Sequence, residues 1–288
     1  MEKENIFKWK HYQPDIIVLA VRWYLRYNLS LRDLVEMMEE RGLPLVHTTI
    51  MRWVHQYGPE LNERIRKHLK RTNDSWRVDE IYIKIKGEKM YLYRAIDSEG
   101  NTIDFYLSSK RDAKAAKRFL KKALISCHAT GPRSITVDGD KAYPVAIRDL
   151  KDEQCIPHGM PLRVKKYLNN IIEQDHRFIK KRIRNMLGLK SLHTATKMIA
   201  GIEAMHVVKK GQTIQGEKSV QRQIYLINEL FGLTNSITFN SARNLLLFFH
   251  IPLFLHQNLK TWYIYIYTVY VCKMVALLVI HSGKRGPF

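Results

Sequence analysis

Residues 76–87, WRVDEIYIKIKG, decide how the chain is read. Apolar side chains recur there with a period of two, which marks a strand rather than a helix. An acid, Asp79, stands inside that alternation. The turn Lys86-Gly87-Glu88-Lys89 leads into MYLYRAID (90–97), and Ser98-Glu99-Gly100-Asn101 leads into TIDFYLS (102–108), so the spacing predicts a three-stranded antiparallel meander. A helix from Asp112 to about Ser126 follows, with Ala115, Phe119 and Leu120 as its apolar stripe. Then come a short apolar strand, SITVD, ending at Asp138; a helix over Tyr143–Leu150; a strand near Cys155–Ile156; and a long helix from about Leu168 to Leu187. A helix capped by Ser191 and a shorter one in QIYLINELFGL close the pattern. A meander followed by strands that alternate with helices describes a mixed α/β sheet.

Upstream the period changes to 3.6. Ile16, Leu19, Ala20, Trp23 and Tyr27 recur at helical spacing after Pro14-Asp15. Ser30 caps a second helix that carries Leu31, Leu34, Val35 and Met38, and Gly42 and Pro44 stop it. A third helix begins near Thr48 with Ile50, Trp53, Val54 and Tyr57 inward, leaving Thr49, Arg52 and Gln56 outward. This is a helix-turn-helix layout. Its outward residues suit base edges in a major groove, although the same layout also serves as plain packing. The basic stretch LNERIRKHLKRTN (61–73) reads as a helix or linker between two regions. We therefore expect three segments: 1–72, an all-α helix-turn-helix region with its basic linker; 73–235, the α/β domain; and 236–288, an atypical extension.

Composition narrows the function. The 288 residues carry 48 Lys and Arg against 27 Asp and Glu, a formal charge of +21, which points to a polyanionic partner, nucleic acid first. The three cysteines lack any CxxC spacing, which argues against a disulfide framework or a structural zinc site and fits a reducing cytoplasm. The N-terminal MEKENIFKWKHYQ has no apolar run of signal-peptide type. After Asn235 acids vanish: residues 236–288 hold five basic side chains and two apolar runs. The run Trp262–Ile280 is 19 residues long with Lys273 as its one charge, close to a membrane span in length. Lys273, four tyrosines and a threonine weaken that reading, and we read the tail as a non-functional extension rather than an anchor.

Three acids fit a two-metal site for phosphodiester chemistry. Asp79 lies within a strand, Asp138 ends one, and Glu173 lies early in the long helix. An acid at a strand end is usually a turn or cap residue; three acids in buried contexts are harder to explain, because a buried carboxylate needs a cation or a metal. All-oxygen donors suit Mg2+ or Mn2+, two ions about 3.5–4 Å apart clamping the attacking and leaving oxygens.

The segments WRVDEIYIKIKG, ITVDGDKAYP and NNIIEQDHRFIKKR resemble the acidic blocks of the DDE transposases, specifically the insertion-sequence six family of bacterial elements, including the 34 residues between Asp138 and Glu173. The resemblance spans about residues 10–234. It implies a ribonuclease-H-like catalytic domain with Asp79, Asp138 and Glu173 as ligands of two metal ions per site, and Lys180 as the basic residue that accompanies the glutamate. It implies action on double-stranded DNA, at terminal inverted repeats and target, by cleavage, 3'-end strand transfer and replicative cointegrate formation. It also implies a homodimer or larger synaptic assembly, a cytoplasmic, nucleoid-associated location, no nucleotide cofactor and no membrane role. His176, Lys181 and Arg182, near Glu173, are expected phosphate contacts. Glu80 should face the opposite side of the strand, and Asp140 should serve the turn after Gly139. The competing readings are a helix-turn-helix regulator without catalysis and a metal-dependent ribonuclease-H-like nuclease that cuts without joining.

Overall fold

The computed structural model describes residues 6–8, 10–186, 189–216 and 218–233. The expectations for residues 236–288 lie outside the described residues.

Three helices open the chain: α1 (Pro14–Arg26), α2 (Leu31–Glu39) and α3 (His47–Arg66). At α2 the Ser30 hydroxyl accepts from Asp33 N while the Asp33 carboxylate accepts from Ser30 N, a reciprocal cap that satisfies two orphan amides. The third helix runs on through Gly58-Pro59 to Arg66, so the first six residues of the basic stretch 61–73 are helical and the rest is not. Strands β1 (Ser75–Ile85), β2 (Glu88–Asp97) and β3 (Thr102–Ser108) form the meander, joined first by a two-residue Lys86-Gly87 turn. Helix α4 (Ala113–Leu124) leads to β4 (Ser134–Val137), and α5 (Ala142–Asp152) to β5 (Leu162–Val164). The fifth strand thus lies at 162–164 rather than 155–156. A 3-10 turn (Lys166–Asn169) opens directly into α6 (Asn170–Asn185), followed by α7 (Leu192–Lys210) and α8 (Val220–Leu230).

The sheet order is β3-β2-β1-β4-β5, with β4 and β5 parallel to β1 and the meander antiparallel. This is the mixed sheet of a ribonuclease-H-like domain. One face packs Trp76, Val78, Tyr93 and Ala95 against α4 and α5. The other carries Ile81, Ile83, Ile85 and Leu92 into a core shared with α7 and with α1, α2 and α3. Among the described residues no helix is long and apolar enough to cross a membrane.

Candidate active site

Sheet register brings the first two acids together. Arg77 pairs with Thr136 across the parallel β1–β4 ladder, and its Nη1 donates to Thr136 Oγ1 at 3.0 Å. Those side chains share a face. Two residues further on, along that same face by the period of two, come Asp79 within β1 and Asp138 just past the end of β4. Gly139 then turns the chain at φ +113°, a conformation L side chains rarely adopt. Asp138 is exposed, and its Oδ1 accepts from Asp140 N at 3.2 Å.

Helix α6 is fastened over this pair. The buried Asn169 amide donates to Val78 O at 3.2 Å, next door to Asp79. Nearly two turns into the helix, His176 Nδ1 lies 3.4 Å from Asp79 Oδ2. Glu173, exposed in the first turn, is the i, i+3 neighbour of His176. Burial pushes the Asp79 carboxyl up to about 7, and the charges of Glu80, Asp138 and Glu173 push in the same direction. Burial, with Arg94 nearby, pushes His176 down to about 3, so its ring is neutral at pH 7. Acids that raise one another's cost of ionisation are relieved by a divalent cation, and this all-oxygen donor set fits Mg2+ or Mn2+. Among the described residues no three His, Cys, Asp or Glu side chains stand as a ready-made metal nest.

Two polar clusters flank these acids, and their pairings are not advertised by the sequence. On the α5 face, Glu80 is the centre of the first: its Oε1 pairs with Arg111 Nη2 at 2.6 Å, and its Oε2 accepts from Tyr143 Oη. Arg111 Nη2 also reaches Asp140 Oδ2 at 2.8 Å. Glu80 does face away from Asp79, yet its side chain is only 3% exposed. Asp140 serves the turn as well, since its Oδ1 accepts from Ala142 N at 2.6 Å. On the α6 face, the fully buried Arg94, directly across the ladder from Asp79, chelates Glu203 (2.7 and 3.0 Å) and pairs with Asp175 (2.8 Å). The signal for the second cluster lay in the sequence, as charges inside the apolar runs YLYRAID and IAGIEAMHVV.

The expected DNA-facing residues divide. On α3, Arg52 and Gln56 are exposed and Thr49 is half-buried; Gln56 Oε1 accepts from Lys10 Nζ at 3.2 Å. On α6, Lys180 and Lys181 are exposed, as are Arg177 and Arg184. Two expectations need correction. His176 is buried against Asp79 and has no surface to offer a phosphate. Arg182 is 2% exposed; its Nε and Nη2 donate to Tyr24 O, with Nε at 2.7 Å, and its guanidinium lies over the Tyr24 ring. That carbonyl is one of the orphans at the C-terminal end of α1, where a cation is favoured. Arg182 thus caps α1 from α6 instead of facing solvent.

Residues 73–212 match a family described as a DDE domain. The chain is 40% identical over 206 residues to the transposase for insertion sequence-like element IS431mec of Staphylococcus aureus (strain Mu50 / ATCC 700699), covering 72% of this chain and 89% of that one. The same identity and coverage relate it to the Staphylococcus aureus transposase for insertion sequence element IS257 in transposon Tn4003. A chain of the solved simian T-cell lymphotropic virus intasome in complex with PP2A regulatory subunit B56 gamma superposes with a TM-score of 0.36 at 16% identity, over 46% of this chain and 50% of that one.

Proposed function

The chain belongs to the DDE transposases of the insertion-sequence six family, and from that membership we propose that it binds the terminal inverted repeats of its own element and moves them by replicative transposition through a cointegrate. Residues 1–72 supply the reader, with Thr49, Arg52 and Gln56 toward the bases, and residues 73–235 supply the chemistry. The observation that supports this reading most strongly is the Arg77–Thr136 register, which leads β1 and β4 on to Asp79 and Asp138, with Asp138 and Glu173 both near enough to push the Asp79 carboxyl up.

Asp79, Asp138 and Glu173 would hold two Mg2+ or Mn2+ ions. Bound there, the ions supply positive charge against the attacking and leaving oxygens of an in-line displacement at phosphorus. In the first step water attacks the phosphodiester at each element end, and the leaving 3' oxygen becomes a hydroxyl. In the second, that hydroxyl attacks a target phosphodiester and releases the target's own 3' oxygen. No bond to protein forms, so the chain contributes position and charge. His176 holds Asp79 from behind. Lys180 and Lys181, two turns beyond Glu173, would steady a backbone phosphate. Two ends must be held at once, which calls for a homodimer or larger synaptic assembly acting on the nucleoid in the cytoplasm.

The test incubates purified protein with Mg2+, element-end DNA and target. The parent should join 3' ends to target, whereas a regulator only shifts the DNA and a nuclease only cuts it. Asp79→Asn, Asp138→Asn and Glu173→Gln should each lose cutting and joining while end binding persists. Near-normal joining by any of the three removes that residue from the ligand set.

A further inference from the structure

The α6-face cluster is larger than the Arg94–Glu203 pair. Asp175 Oδ1 contacts His206 Nε2 at 2.8 Å and Lys210 Nζ at 3.1 Å, while its Oδ2 meets Arg94 Nη2 at 2.8 Å. Phe178, one turn along α6 from Asp175, is stacked on the His206 ring at 3.3 Å, and the Arg94 guanidinium lies 5.1 Å from the centre of the same Phe178 ring. Lys210 Nζ also donates to Gly100 O at 2.7 Å and Thr102 Oγ1 at 2.9 Å, which ties the end of α7 to the start of β3. Three elements therefore meet on one carboxylate: β2 through Arg94, α6 through Asp175 itself, and α7 through His206 and Lys210.

Such a cluster is a weak source of stability, because removing charges from water offsets most of their attraction. What it does fix is geometry. Asp175 is two residues beyond Glu173, about 200° around the helix at 100° per residue. Anchoring it from three directions sets the rotation of α6 about its own axis, and so the direction in which Glu173 projects. Arg94 is also the ladder partner of Asp79, so the anchor and the strand acid share one register position.

We propose that Arg94, Asp175, Glu203, His206 and Lys210 form a positioning cluster that holds α6 at the rotation and height where Glu173 can join Asp79 and Asp138 around a divalent ion. This rests on those three acids being the ligands. None of the five touches substrate; they act through the helix that carries Glu173. Arg94 matters through its planar fork, which a lysine of the same charge cannot reproduce.

The experiment titrates the full chain with Mn2+ alone, following free Mn2+ by electron paramagnetic resonance, for the parent, Glu173→Gln, Asp175→Asn and Arg94→Lys. Circular dichroism melts without metal define a temperature at which each is folded. Glu173→Gln should lose the tight Mn2+ seen in the parent. Asp175→Asn and Arg94→Lys should each weaken it by about 10- to 100-fold, the range for groups that orient ligands from behind, with joining reduced in step and end binding unchanged. If Glu173→Gln binds Mn2+ as the parent does, the ligand reading falls and the positioning role with it. If Glu173→Gln loses Mn2+ while folded Asp175→Asn keeps parental affinity, the ligands stand and the positioning role is overturned. Weakening in Asp175→Asn that Arg94→Lys does not share would trace to lost charge, which also overturns it. Should Arg94→Lys not fold, His206→Gln takes its place under the same criterion; burial pushes the His206 imidazole down to about 4, so this exchange keeps the charge of the cluster at neutral pH.

Discussion

Asp79 shows what the site costs the fold. An unfolded aspartate loses its proton near pH 4, whereas burial and neighbouring acids hold the folded one up to about 7. Between those values the folded chain keeps a proton that the unfolded chain has released, so metal-free stability falls as pH rises through that window. Asp79→Asn should therefore raise the metal-free stability at pH 8 by roughly 1–3 kcal/mol while abolishing joining. Thermal melts with chelator check this, and an unchanged or lower Tm in the variant would refute it. Asp79 was legible because an acid interrupts an apolar alternation. Arg182 was not, because it sits in the run KKRIR, which reads as a solvated face. Counting from Ile172, His176 and Ile179 puts it on the buried stripe. Arg182→Ala should accordingly lower stability by about 1–3 kcal/mol through a broken buried hydrogen bond, and leave the salt dependence of DNA binding unaltered. Arg52→Ala should do the reverse, weakening specific end binding by about 1–3 kcal/mol with Tm unchanged. Gel-shift titrations at several salt concentrations, beside urea melts, distinguish the two.

At the scale of elements, legibility followed the strength of local signals. Ser30 marks the start of α2, and period-two alternation marks the meander. The fifth strand lies at Leu162–Val164 rather than near Cys155 because it is three residues long and largely exposed; its identity comes from pairing with β4, which its own residues do not advertise. The second half of α3 is the helix alternative for the basic stretch 61–73, reached through Gly58-Pro59 without a break. Packing supplies the reason for the glycine. A Cβ on Gly58 would lie 3.2 Å from Lys197 O and 3.4 Å from the Gly201 Cα, and one on Gly201 would lie 3.0 Å from the Gly58 Cα and 2.7 Å from Leu25 Cδ1. Helices α3 and α7 cross backbone to backbone at this pair. Gly201→Ala, although it favours helix locally, should cost about 1–3 kcal/mol by overpacking, read as a Tm lowered by several degrees. A variant as stable as the parent would show that Leu25 and α3 yield without penalty.

Across the whole molecule the change from period 3.6 to period two near residue 73 suggests two separable parts, and the functions proposed above follow that division. The packing does not follow it. Ile17, Leu25, Ile50 and Leu61 of the helices, Ile199 and Met205 of α7, and Ile83 and Leu92 of the sheet belong to one continuous buried cluster. Arg182 joins α1 to α6, and Asn185 Nδ2 donates to Asn28 O at 2.8 Å beside it. Sequence periodicity reports which face of an element is apolar but not which other element covers it, so neither part's pattern announces that α7 joins them in one core. A shared core has a thermodynamic consequence: the helices cannot open without exposing apolar surface on α7, at roughly 25 cal/mol per Å². Elements that share a core in this way tend to open as one cooperative unit. We therefore expect hydrogen exchange, followed peptide by peptide in low denaturant, to give the interior amides of α1 and α3 the same opening free energy and denaturant slope as those of β1 and β2. Exchange through an earlier opening confined to residues 14–66, with the sheet still protected, would show that the N-terminal helices are held independently and that the common core does not bind them into one unit.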